Sequence, residues 1–126
     1  SECLVGSEMC IRDSKHFEPI VEGMWRGVNV GGTSMLARLE GLDVCGKTGT
    51  AENPRGRDHS TFLSFAPKDN PKIAISVYVE NGGFGASAAL PIASLLEEYY
   101  LTDTIRRPAL LDYVRNMTIN YPAYDR

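Results

Sequence analysis

The sequence predicts an α/β chain of the α+β kind: an early helix, three antiparallel strands, and a later helix packed on the sheet. Three observations carry that expectation. Phe17, Ile20, Val21, Met24 and Val28 recur at helical spacing. Three β-rich runs follow at 43–52, 60–66 and 72–80, joined by connections short enough to favour antiparallel pairing of neighbours. A run rich in small residues then reads as a helix over 86–101.

Pro19 fits the first turn of the early helix, and Gly31-Gly32 ends it. Thr33 to Leu39 is read as a short second helix before Gly41. The first strand runs from Asp43 to Glu52, and Asn53-Pro54-Arg55-Gly56-Arg57-Asp58 is a turn-rich loop. The second strand is Ser60 to Ala66, followed by the tight turn Pro67-Lys68-Asp69-Asn70-Pro71. In the third strand, Lys72 to Glu80, the faces Ile73/Ile75/Val77/Val79 and Ala74/Ser76/Tyr78 are both largely apolar. A central strand covered on both sides is expected there. After the flexible loop Asn81–Gly85, the helix 86–101 turns Ala89, Ile92, Ala93 and Leu96 to one face. A short amphipathic helix over Ala109–Met117 directs Leu110, Val114 and Met117 inward.

The chain has 126 residues, enough for one small domain, and a net charge of −3. That charge argues against a nucleic-acid partner, which needs a basic excess to neutralise phosphates. The lone basic doublet, Arg106-Arg107, fits a solvated helix end. No apolar run approaches the roughly 18 residues of a membrane span. The chain does not begin with Met and shows no secretory signal pattern.

Residues Leu4 to Ser14 resemble the in-frame translation of a common transposase sequencing adapter, so residues 1–14 are expected to be foreign to the gene. Without them 13 acidic and 12 basic residues remain. Cys3 and Cys10, spaced to close a small loop, both fall in that segment. Cys45 is left, read as a small buried hydrophobe on a strand rather than a nucleophile. It has no Cys or His neighbour at metal-ligand spacing, so neither a metal site nor a cofactor is expected.

The chemistry concentrates at Lys47-Thr48-Gly49-Thr50. A cation, two hydroxyls two residues apart and a glycine suit a strand edge that grips an anionic, peptide-like ligand. Thr48 and Thr50 point the same way on a strand. Lys-Thr-Gly is one of three signatures of penicillin-binding proteins and serine β-lactamases. The other two, Ser-x-x-Lys and Ser-x-Asn, occur nowhere in the sequence; Lys68 follows Ser64 one residue too late. The chain therefore reads as one wall of an active site without its nucleophile.

The surrounding motifs widen the likeness. Val21-Glu22-Gly23-Met24, Cys45 to Asn53, Asp58-His59-Ser60-Thr61-Phe62, Phe65-Ala66-Pro67, Pro71 to Asn81 and Ala88-Ala89-Leu90-Pro91-Ile92-Ala93 occur in order. From Phe17 to Leu101 the chain resembles the C-terminal part of a class B penicillin-binding protein transpeptidase domain, of the elongation type known as penicillin-binding protein 2. The resemblance implies a β-lactamase/transpeptidase-like fold, present in part. Residues 15–101 would supply the last three strands and the closing helix, and 102–126 a tail with a short helix. It further implies a peptidoglycan D,D-transpeptidase that crosslinks stem peptides ending in D-Ala-D-Ala through an acyl-serine intermediate, and that β-lactam antibiotics acylate. It implies a parent anchored in the bacterial inner membrane, facing the periplasm and working with cell-wall elongation proteins.

By the same resemblance, Lys47 would stand beside the serine of the Ser-x-Asn motif, helping proton movement and carboxylate attraction. The Thr48 and Thr50 hydroxyls would hold the ligand carboxylate. Gly49 would admit the ligand close to the backbone, and the Thr50 N–H would form half of an oxyanion hole. His59 is read as a loop-ordering residue rather than a base, and Glu52 and Asp58 as loop and strand-end carboxylates. Two other readings share the motif: a serine β-lactamase, and a non-catalytic β-lactam sensor. The strand 72–80 is expected to pair with 60–66 on one side only, which would make the isolated chain prone to association.

Overall fold

The computed structural model describes residues 7–119, with side chains from Lys15 onward. Helix α1 runs Ser7–Asn29, and a single 3-10 turn spans Met35–Ala37. Strands β1 (Cys45–Ala51), β2 (His59–Ala66) and β3 (Ile73–Val79) follow, then α2 (Ala89–Thr102) and α3 (Pro108–Arg115). The sheet is antiparallel in the order β1-β2-β3. All three expected strands and the closing helix are present. The suspected adapter segment lies outside the described residues up to position 6, and beyond that only as helical backbone.

The two faces of the sheet are covered differently. On one, Ser60, Phe62, Ser64 and Ala66 of β2 are buried beneath α2, with Leu90 and Ala93 of that helix closing the core. On the other, α1 lies along β1. Its C-terminal end is anchored by Val28 in the core and by the Asn29 amide, which donates to the Val44 carbonyl at 3.0 Å. Farther up α1, Lys68 pairs with Glu22 and sits 5.4 Å from the centre of the Trp25 ring. The Glu22 carboxyl is lowered by that hydrogen bond, and the Lys68 ammonium is raised by it. Phe17 and Ile20, at the far end of the predicted stripe, are exposed.

Several expectations are corrected. Pro19 lies inside α1 rather than in its first turn, because the helix begins at Ser7. The segment 33–39 forms one 3-10 turn, not a helix. Among the described residues β3 pairs with β2 on one side only, as expected, but it is not covered on both faces: Ala74, Ser76 and Tyr78 are exposed and only the Ile/Val face is half-buried. Finally, α2 begins at Ala89 and is rotated from the expected face: Leu90, Ala93, Ser94 and Glu97 point inward while Leu96 is exposed.

That rotation follows from Glu97. Ser64 Oγ donates to its carboxylate at 2.8 Å, so an acidic residue occupies a position that hydrophobic patterning assigns to solvent. Residues 86–88 form a turn instead of a helical start because Ser60 Oγ caps it, accepting the Ala89 N–H at 2.9 Å and donating to the Phe84 carbonyl at 2.8 Å. Arg107 is also not the solvated residue expected. It is half-buried and spans Glu98, the Leu36 carbonyl and the Ser94 carbonyl, tying the segment before α3 to α2. Leu110, Val114 and Met117 are half-buried, as the amphipathic pattern of the tail requires.

Candidate active-site strand

The outer edge of β1 is organised by backbone alternation. In an antiparallel ladder the N–H and C=O of one residue point to the same side, and successive residues point to opposite sides. The Val44 carbonyl is bonded by Asn29, the Gly46 carbonyl faces Gly27, and the Thr48 carbonyl accepts a hydrogen bond from Lys47 Nζ at 2.8 Å. The even-numbered residues thus face away from β2. The N–H and C=O of Thr50 belong to that outward set. Helix α1 covers the edge as far as Gly46 and leaves Thr48 to Thr50 open.

The side chains divide by face. Thr48 stands opposite Phe62 and Thr50 opposite Ser60, so both threonines project on the α2 side of the sheet. Thr50 is exposed and Thr48 half-buried. Lys47, opposite Leu63, starts from the α1 side, where it borders a cavity lined by Pro19, Ile20, Gly23, Met24 and Leu63. Its ammonium bends back over the edge to the Thr48 carbonyl. The cation and the two hydroxyls therefore meet at the strand edge from opposite faces.

Gly49 has a packing reason for its identity as well. A Cβ there would run into Thr61 Oγ1, and the backbone of Gly85 lies against Gly49 on the other face. Any side chain at 49 would have to displace the Thr61 hydroxyl.

One neighbour was not marked by the motif. The Thr33 hydroxyl shares a hydrogen bond with the Thr48 hydroxyl at 3.3 Å. The chain reaches that position through Gly31, whose φ is +79°, and Gly32, where a Cβ would approach the Gly27 backbone to 2.5 Å. The Gly-Gly pair was legible as a helix stop; its close return onto α1 was not.

The remaining polar candidates are structural. His59 Nδ1 accepts the Asn81 N–H at 3.0 Å, which leaves the ring proton on Nε2, and the ring packs on Tyr78. Asp58 accepts the Asn53 N–H at 3.0 Å, and the Asn53 amide donates to Asn81 at 2.8 Å. These bonds order the 53–58 loop against the 81–83 turn. Cys45 is fully buried, with its thiol pushed up to about 11 by that burial, so it is a poor nucleophile. Burial pushes the Glu97 carboxyl up to about 7. Among the described residues no cluster of His, Cys, Asp or Glu is arranged to hold a metal ion, and no helix is long and apolar enough to cross a membrane.

The chain is similar to known proteins of one family. Residues 12–96 match the family model for the penicillin-binding protein transpeptidase domain. Peptidoglycan D,D-transpeptidase MrdA of Haemophilus influenzae is 35% identical over 106 residues, covering 71% of this chain and 16% of its own. Penicillin-binding protein 2 of Pseudomonas aeruginosa, solved in complex with WCK 5153, is 36% identical with a TM-score of 0.52, over 65% of this chain and 18% of that one. Penicillin-binding protein A of Mycobacterium tuberculosis, solved as a ceftriaxone acyl-enzyme complex, is 28% identical with a TM-score of 0.52, over 75% of this chain and 20% of that one. The chain thus spans about a sixth to a fifth of the length of these relatives.

Proposed function

This chain belongs to the penicillin-binding protein transpeptidase family, and from that premise we propose that it is the substrate-edge portion of a peptidoglycan D,D-transpeptidase. Residues 15–101 are read as the C-terminal part of the transpeptidase domain and residues 1–14 as largely foreign to it, although the family match begins at residue 12. The observation that carries this reading is the open Thr48–Thr50 segment of an edge otherwise occupied by α1. An extended stem peptide ending in D-Ala-D-Ala, or a β-lactam in its place, lies along that segment as an added strand.

In the complete enzyme a serine from another part of the domain attacks the carbonyl of the D-Ala-D-Ala bond, D-alanine leaves, and an amine of a second stem peptide resolves the ester. The strand contributes binding and charge stabilisation. The Thr48 and Thr50 hydroxyls donate to the terminal carboxylate, and the Lys47 ammonium supplies the positive charge that draws it in. The outward Thr50 N–H stabilises the oxyanion that forms on the attacked carbonyl. The complete protein works at the periplasmic face of the bacterial inner membrane, with partners in cell-wall elongation.

The intact protein carrying this segment is expected to label with a fluorescent penicillin and to keep the label for many minutes, while the 126-residue chain alone stays unlabelled. Rapid hydrolysis of the label would point instead to a β-lactamase. Absence of any label on the intact protein would reject the transpeptidase reading.

A further inference from the structure

We propose that Thr33 is a positioning residue for the ligand carboxylate, acting through the Thr48 hydroxyl. This rests on the transpeptidase reading above and extends it to a residue outside the Lys-Thr-Gly-Thr run. A threonine hydroxyl has one proton. If Thr48 is to donate that proton to an anion, its oxygen must be held by some other donor, or the hydroxyl is free to turn toward any nearby acceptor. Thr33 Oγ1, 3.3 Å from Thr48 Oγ1, is placed to be that donor. With Thr33 donating, the order is Thr33 hydroxyl to Thr48 hydroxyl to carboxylate. Each bond in such a chain polarises the next.

Two further features fit a built arrangement. The Thr48 carbonyl already accepts a hydrogen bond from Lys47 Nζ at 2.8 Å, which makes this backbone acceptor a weaker competitor for the Thr48 proton. Thr33 is held at the strand edge by a specific path of the backbone. The chain leaves α1 through Gly31 in the left-handed region and returns so closely at Gly32 that no Cβ fits, and the Ser34 N–H then bonds the Gly27 carbonyl at 3.1 Å. Thr33 itself is exposed, so its hydroxyl is not needed to satisfy a buried group.

The test is the rate of acylation of the intact protein by benzylpenicillin and by its methyl ester, which lacks the anion, in the wild type, Thr33→Val and Thr33→Ser. Thr33→Val is expected to slow acylation by benzylpenicillin roughly three- to tenfold, the loss of one hydrogen bond. It should leave the slower reaction with the ester unchanged, and Thr33→Ser should restore the rate. The melting temperature should be the same for all three proteins. Equal rates for wild type and Thr33→Val, or an equal loss with both ligands, would overturn the positioning role. A wild type that takes no label would instead reject the transpeptidase reading on which the inference stands.

Discussion

The two edges of the sheet are built on different terms. Along β1, Asn29 of α1 bonds the Val44 carbonyl, Gly27 lies against the Gly46 carbonyl, and Lys47 takes the Thr48 carbonyl. What is left open is a stretch of three residues, two of them carrying hydroxyls. Along β3 the outward groups of Ala74, Ser76 and Tyr78 have no neighbouring strand among the described residues, and Tyr78 is 56% exposed. One edge offers a short polar slot; the other offers a full-length strand beside half-buried Ile and Val side chains. The contrast separates an edge proposed to take a ligand from an edge free to take more sheet.

Thr50→Pro gives the largest expected effect. The substitution removes an outward N–H, so the ladder to β2 is untouched, and proline is tolerated at an edge. Acylation of the intact protein should fall about 10²–10³-fold, the usual cost of losing one oxyanion donor. An unchanged rate would mean that the β1 edge does not serve the reacting carbonyl.

Next in size is the buried carboxyl that lies between the two edges, on the α2 side. Glu97 is raised from an ordinary value of 4.5 to about 7, through burial first, opposed by the Ser64 hydrogen bond and the Arg107 charge. The folded state therefore holds this proton more tightly than the unfolded chain does. Its contribution is fully present below pH 4.5 and lost as pH rises to about 7, a span of about 3 kcal/mol for a shift of this size. Glu97→Gln should be more stable than wild type at pH 8 and about equal at pH 4, read from urea midpoints of the domain. A difference of the same size at both pH values would rule out burial of the proton as the cause.

The smallest expected effect concerns the β3 edge. The isolated chain should self-associate through it, and Ser76→Pro, which deletes an outward N–H, should reduce association several-fold in light scattering. Thr48→Val should not. A wild-type chain that is monomeric and melts cooperatively would show that the β3 edge needs no partner.

The strands were legible because their β-rich runs, turn residues and short connections agree, and β1, β2 and β3 lie within two residues of their expected ends. The inward face of α2 was not legible. A glutamate at 97 reads as solvent-facing until Ser64, thirty-three positions away, is known to bond it. Arg107 misled for the same reason, since its acceptors lie on α2 and near the 3-10 turn. In the site, the motif located Lys47, Thr48, Gly49 and Thr50. It could not show that the lysine approaches from the opposite face, nor that a Cβ at 49 would meet the Thr61 side chain. Thr33 carried no mark except the glycine pair before it. The role proposed for it depends on a chain reversal that hydrophobic periodicity does not encode.

The central claim is that the open part of β1 holds the anionic end of a peptide-like ligand. A crystal structure of the intact protein acylated by benzylpenicillin tests it most directly. The drug carboxylate should lie within hydrogen-bonding distance of the Thr48 and Thr50 hydroxyls, with the ester carbonyl oxygen on the Thr50 N–H and Thr33 still bonded to Thr48. A carboxylate seated away from both threonines, with the β1 edge left empty, would contradict the account.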